Sequence, residues 1–149
     1  MINQTNTQNA ASPAFYPTMA AARAEPLTEK DQREALIFLS RRPVHAVILA
    51  GWIRDHGIVS SKHRGTFYGY RGENGDLLGV AIIGRNLLFE SSSQEAISAF
   101  AVCARDHHDV RMIFAEDEKL KIFWRHYRPE SPMPAPAHHQ MITCVEPAS

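Results

Sequence analysis

The run from Gly65 to Gly84, GTFYGYRGENGDLLGVAIIG, restricts the possible folds of this chain more than any other stretch. Thr66, Phe67, Tyr68 and Tyr70 favour extended backbone, Gly72-Glu73-Asn74-Gly75-Asp76 supplies turn residues, and Leu77 to Ile83 resumes an apolar run. The pattern predicts a β-hairpin with Asn74-Gly75 at the centre of its turn. In the second strand Leu77, Leu78, Val80, Ala81, Ile82 and Ile83 are apolar almost without a break, which suits a central strand covered on both faces. Gly79 and Gly84 interrupt that strand, and glycine there marks a bulge or a close backbone approach. The strand then runs straight on through Arg85-Asn86-Leu87-Leu88-Phe89-Glu90-Ser91-Ser92-Ser93 to a helix.

Two short helices precede the hairpin. Thr28-Glu29-Lys30-Asp31 has the Ser/Thr-x-x-Asp/Glu form of a helix start, in which the Thr28 hydroxyl accepts from an orphan amide. The helix runs to about Ser40 with Ala35, Leu36, Phe38 and Leu39 on its apolar side, and Arg41-Arg42 complements its C-terminal dipole. Pro43 opens a second helix whose core-facing stripe is Val44, Val47, Ile48, Trp52 and Ile53, and Gly57 ends it. After the hairpin, Ser93 caps a helix to about Asp106 that buries Ala96, Ile97, Phe100, Ala101 and Ala104. Val110 to Ala115 reads as a strand. Glu116-Asp117-Glu118 then starts a helix to Tyr127 with Leu120, Phe123 and Trp124 inward. Four prolines from Pro129 to Pro136 stop it, and Gln140 to Val145 forms a closing strand. A short strand within Met19 to Leu27 also fits.

The expected architecture is therefore α/β (α+β), a mixed, mostly antiparallel sheet flanked by helices on both faces. Residues 1–24 read as a flexible leader rich in Asn, Gln, Thr and Ala, 25–146 as one domain and 147–149 as a tail. The leader lacks the early positive charge and apolar core of an export signal. With 44% hydrophobic and 21% charged residues the composition is that of a globular chain, and no apolar run nears a membrane span. Sixteen basic residues balance sixteen acidic ones, so nothing draws the whole chain toward nucleic acid or an anionic membrane. Cys103 and Cys144 are too few and too widely spaced for a disulfide framework or a CxxC site, which suits a reduced, cytoplasmic setting.

The order strand, two helices, hairpin, helix, strand, helix, strand resembles the GNAT acetyltransferase fold. More specific are LTEKDQREALIFLSRRPVHAVILAGWIRDHGI, RGTFYGYRGENGDLLGVAIIGRNLLFE, AISAFAVCA, IFAEDEKLKIFWRHY and the late HHQMITCV. Together, over Pro26 to Val145, they are similar to the N-terminal half of bacterial proteins in which two GNAT-like domains are joined and the second carries acetyl-coenzyme A. In the active family an (Arg/Gln)-x-x-Gly-x-(Gly/Ala) loop follows the fourth strand, so that bare amides and a helix N-terminus grip the coenzyme pyrophosphate. This chain has Phe89-Glu90-Ser91-Ser92-Ser93-Gln94-Glu95 there, with no glycine and with two carboxylates that repel a pyrophosphate unless they point away.

The resemblance thus implies a non-catalytic GNAT-like domain, without a cofactor of its own, serving a separate catalytic GNAT domain or another protein. An alternative is a divergent acyltransferase that binds acetyl-coenzyme A through Ser91, Ser92 and Ser93 and the following helix N-terminus, with Arg85 as a further candidate contact. A third reading is an unrelated ligand-sensing or protein-binding α/β module.

The remaining polar groups favour plainer roles. His107, His108, His138, His139, Cys103 and Cys144 are zinc-ligand types, but their spacing matches no finger, ribbon or HExxH site, and they read as turn and core residues. His126 and Tyr127 have no placed acid–base partner, and Cys103 lies beside a buried stripe rather than in an electropositive setting. Arg41-Arg42, Arg54, Lys62-His63-Arg64 and Arg71 make the first half locally basic, which reads as scattered solvated charge.

Overall fold

The computed structural model describes residues 23–134 and 141–143. In chain order it contains β1 (Glu25–Pro26), a 3-10 turn (Glu29–Asp31), α1 (Gln32–Ser40), α2 (Pro43–His56), β2 (Gly65–Arg71), β3 (Leu77–Gly84) and β4 (Asn86–Ser91). Next come α3 (Gln94–Ala104), β5 (Met112–Phe114), α4 (Asp117–Tyr127) and β6 (Met141–Thr143). Among the described residues the strands form one six-stranded sheet in sequential order, antiparallel except for the parallel pair β4 and β5 that α3 connects. The fold is mixed α/β, as the sequence predicts.

Side chains of β3 divide between two cores. Leu77, Val80 and Ile82 meet Phe38 and Leu39 of α1 and Leu49 and Ile53 of α2. Ala81 and Ile83 join Phe100 of α3 and Leu120 and Phe123 of α4 in the other core. From Val80 to Ile83 this split follows the two-residue period of a strand, and Leu77 sides with the even positions because the register shifts by one residue where Arg71 pairs with Leu77. Gly79 is the point of closest approach to α3, where a Cβ would stand 2.9 Å from both the Ala96 Cβ and a Phe100 ring carbon. At Gly84 a Cβ would collide with the carbonyl of Arg64 in the neighbouring chain segment.

Several expectations need correction. The apolar run does not continue straight into the helix, because Gly84-Arg85-Asn86 reverses the chain and residues 86–91 return as a separate strand, with Ile82 opposite Leu88. In the hairpin the Gly75 amide donates to the Gly72 carbonyl at 3.0 Å, which centres the turn on Glu73-Asn74 and gives Gly75 its positive φ of +88°. In α2 the buried stripe is Ala46, Leu49, Ala50 and Ile53, while Val47 and Ile48 are more than half exposed. Both stripes have helical spacing, and the one carrying two alanines lets α2 approach its neighbours more closely. The helix start, by contrast, forms the expected reciprocal box between Thr28 and Asp31, in which the Asp31 carboxylate accepts from the Thr28 amide at 2.8 Å and from its hydroxyl at 3.1 Å.

Arg71 ties the end of β2 to this first helical layer. Its guanidinium donates to both carboxylate oxygens of Glu34 at 2.8 and 2.9 Å, to Asp31 at 3.0 Å and to the Gly75 carbonyl at 2.8 Å. The Thr28 amide, and then Arg71, hold the Asp31 carboxyl below its ordinary pKa, and hydrogen bonding to Arg71 does the same for Glu34. A carboxyl whose native pKa is depressed contributes stability in full above its unfolded pKa and loses it as the pH falls through the native one. Arg71→Gln should therefore lower stability at neutral pH, and the gap from the parent should close as the pH drops below about 4, measured by urea unfolding at each pH.

The glycines give a second test of the packing. Gly79→Val should cost about 1–3 kcal/mol by overpacking against α3. Gly51 sits inside α2 with nothing within 4 Å of the point where an alanine methyl would stand, so Gly51→Ala should stabilise by about 0.5–1 kcal/mol. Denaturant midpoints should move in opposite directions for the two variants.

Candidate functional site

β4 changes partners along its length, pairing with β5 over its first half and with β3 from Leu88 to Ser91. The parallel register runs from Asn86 opposite Met112 to Leu88 opposite Phe114, while Phe89, Glu90 and Ser91 continue only against β3. A gap in the strand pairing thus opens between β4 and the chain entering α4, beside the β4 to α3 junction that the sequence marks as the candidate coenzyme site.

Alternating β4 side chains fill that gap from both faces. Phe89 stacks on Phe123 of α4 with ring centroids 5.4 Å apart and planes at 16°, and Phe100 lies 6.3 Å from it. Glu90 points the other way and is only 2% exposed. Its carboxylate accepts from Arg42 Nε at 2.8 Å and Lys119 Nζ at 3.1 Å, and Glu116 lies 3.5 Å from Arg42 and 3.6 Å from Lys119. Two glutamates, one arginine and one lysine therefore form a cluster with balanced formal charge, joining the α1–α2 corner, β4 and the first turn of α4. Glu90 does not face the junction as an unpaired negative charge.

The serines spend their hydrogen-bonding capacity on one another and on β3. Ser91 Oγ donates to the Ser93 carbonyl at 2.6 Å and accepts from the Ser93 amide at 2.9 Å. The Ser92 amide and hydroxyl both donate to the Leu78 carbonyl, at 2.9 and 3.2 Å. Ser93 Oγ accepts from the Ala96 amide at 3.0 Å, the cap that the sequence predicts. The amides of Ser92, Ser93 and Ala96, three donors of the kind a phosphate cradle presents, are thus already taken. Arg85 lies at the opposite end of β4, a strand of six residues and about 20 Å, with its side chain in solvent. The structure does not bring Arg85 and the three serines together.

The other candidates are dispersed. Cys103 is half-buried beside Tyr68, whose hydroxyl lies 3.0 Å from His107 Nε2. Burial, with the neighbouring Cys103 and Asp106, pushes the Tyr68 hydroxyl up to about 12, and burial likewise raises the Cys103 thiol, which keeps it protonated. Tyr127 is buried against Phe123 and Trp124 with Arg128 over its ring, and the His126 carbonyl accepts from Arg105. Among the described residues no three His, Cys, Asp or Glu side chains are placed to hold a metal ion. His138, His139 and Cys144 lie outside the described residues, as do residues 1–22 of the expected leader and the tail. No described helix is long and apolar enough to cross a membrane.

Sequence reasoning misses the Glu90 cluster because its members are far apart in the chain and meet only through the sheet topology. A signal is present: Glu90 is a single charge in an otherwise apolar strand, and such a charge needs a partner if buried. No protein-family model matches the chain, and no curated protein or solved structure matches it. Glu90→Ala would leave Lys119 and Arg42 facing a vacated buried position, so it should cost about 3–5 kcal/mol in chemical denaturation. Glu118→Ala, which removes an exposed partner of Lys121, should cost less than about 1 kcal/mol.

Proposed function

We propose that this chain is a non-catalytic GNAT-like domain that serves as an accessory or partner-binding half beside a catalytic GNAT domain. Its element order supports the fold assignment. So does the placement of the parallel β4 and β5 pair in the interior of the sheet, parting after Leu88 and Phe114. Splayed central strands are what the family resemblance implies.

The observation that carries the non-catalytic reading is the closure of the junction by its own residues. In a coenzyme-binding member of the family, unengaged amides after the fourth strand receive the pyrophosphate. Here the Ser92, Ser93 and Ala96 amides already have acceptors. The adjoining gap holds the Phe89–Phe123 stack on one side and the Glu90 cluster on the other. A pyrophosphate that took these three amides would have to displace their present acceptors, each neutral hydrogen bond being of net worth about 0.5–1.5 kcal/mol. Accessory work through a protein surface rather than a bound cofactor fits a junction closed in this way.

Calorimetric titration of the full chain with acetyl-coenzyme A should give no binding at the junction at high micromolar ligand. The deciding variant is Ser93→Asp, which preserves an N-cap while placing a carboxylate where a pyrophosphate would sit. Stoichiometric binding by the parent that Ser93→Asp abolishes would establish a working coenzyme site and favour the divergent acyltransferase.

A further inference from the structure

The basic residues of the chain do not form one population. Arg42 and Arg71 are consumed by internal carboxylates. Lys62, Arg64, Arg85 and Arg111 are exposed and have no ion-pair partner among the described residues. Three of these lie on adjoining strand ends, linked through their backbones: the Arg85 amide donates to the Arg64 carbonyl at 3.3 Å, and the Arg111 amide to the Arg85 carbonyl at 2.8 Å.

A cavity of about 220 Å³ opens at this end of the sheet, lined by Trp52, His56, Lys62, His63, Arg64, Ile82 and Asn86. Trp52 and Ile82 give it an apolar wall, and Lys62, Arg64 and the Asn86 amide group supply donors. Among the described residues no carboxylate lines it: Asp55 and Asp109, the acidic residues nearest in sequence to Arg54 and Arg111, are not part of its wall.

The loop carrying these cations is braced. The Gly57 amide donates to the Ile53 carbonyl at 2.7 Å, and the Ile58 amide to Gln32 Oε1 at 3.0 Å. The Lys62 amide donates to Ser60 Oγ at 3.0 Å. His63 donates through Nε2 to the Gly57 carbonyl at 2.7 Å, and its ring lies edge-on between His56 and Phe67. A loop held by its own hydrogen bonds presents Lys62 and Arg64 without a large ordering cost on binding.

We propose that this cavity binds a small phosphate-class oxyanion, with Lys62, Arg64 and Asn86 as its direct contacts and Trp52 as the wall for the organic part of the ligand. Arg85 and Arg111 lie within reach of electrostatic steering and raise the local positive potential. His63 is a positioning residue. The site goes beyond the accessory role proposed above and is independent of it, since it sits at the opposite end of β4 from the serine junction. Its size favours a small molecule over a polymer.

The test is a titration of the isotopically labelled full chain with inorganic pyrophosphate, followed by amide and indole NMR shifts. Saturable shifts are expected for the Trp52 indole and the Lys62 to Gly65 amides. Affinity should fall at least about tenfold in Arg64→Ala, as for loss of a charged hydrogen bond. It should hold in Arg125→Ala, which removes an exposed charge elsewhere, and in Ser93→Asp. Absence of saturable shifts at millimolar pyrophosphate overturns the proposal, as does equal weakening by Arg64→Ala and Arg125→Ala. Loss of the response in Ser93→Asp would move the site to the junction. Stoichiometric binding of a single-stranded oligonucleotide without any pyrophosphate response would replace the small ligand by nucleic acid.

Discussion

Leu77 to Gly84 must be shielded from water on both faces at once, and the rest of the structure is arranged to meet that demand. Alternation sends Val80 and Ile82 to one layer and Ala81 and Ile83 to the other, so neither helical layer alone could cover the strand. α1 and α2 close one side, and α3 and α4 close the other. The glycines set how near the neighbours come: Gly79 admits α3, and Gly84 admits the backbone at Arg64. Burial of β3 thereby fixes both the position of α3 and the reversal into β4, which in turn determine where the junction falls.

Within the proposed reading, the gap beyond Leu88 poses the same packing problem that a coenzyme solves in an active relative. A void between parting strands would forfeit the dispersion contacts of everything lining it. This chain fills the space with two unlike materials, stacked rings toward α3 and α4 and a compensated charge cluster toward the α1–α2 corner. The second is the more demanding, because a buried carboxylate is tolerable only while its cations stay in place. The Glu90 cluster thus couples three segments distant in sequence, and the serine network beside it couples β3, β4 and α3 through the single carbonyl of Leu78.

Local signals carry much of this architecture. The Gly-rich turn before Leu77, the Ser93 cap and the Ala96, Ile97, Phe100, Ala101 and Ala104 stripe are legible because each depends on neighbours within a few residues. The same reasoning misorients helix α2: two stripes share its period, and only the partner surfaces select the one with Ala46 and Ala50. It also merges strand β4 with β3, because an apolar run broken by Gly84-Arg85-Asn86 can be read as interrupted or as reversed, and the pairing of Ile82 with Leu88 decides it. At the candidate site the lack of glycine is visible in the sequence. The partners of Glu90 are not, since burial and ion pairing with residues as distant as Arg42 and Lys119 are properties of the topology.

Charge illustrates the same limit from the other side. A formal total of zero suggests a surface without electrostatic character, yet a total is a sum and a field is a distribution. Internal pairing removes Arg42, Arg71 and Lys119 along with Asp31, Glu34 and Glu90 from the charges free to act on a partner. What remains is uneven: Lys62, Arg64, Arg85 and Arg111 gather at one end of the sheet, while the serine junction at the other end of β4 is closed by neutral hydrogen bonds. The end at which the resemblance places a phosphate has its Ser92, Ser93 and Ala96 amides engaged, and the end with unengaged cations is the one the family pattern does not mention. Recognition of an anion by this domain would therefore follow from where pairing leaves charge over, rather than from the loop position that the resemblance singles out.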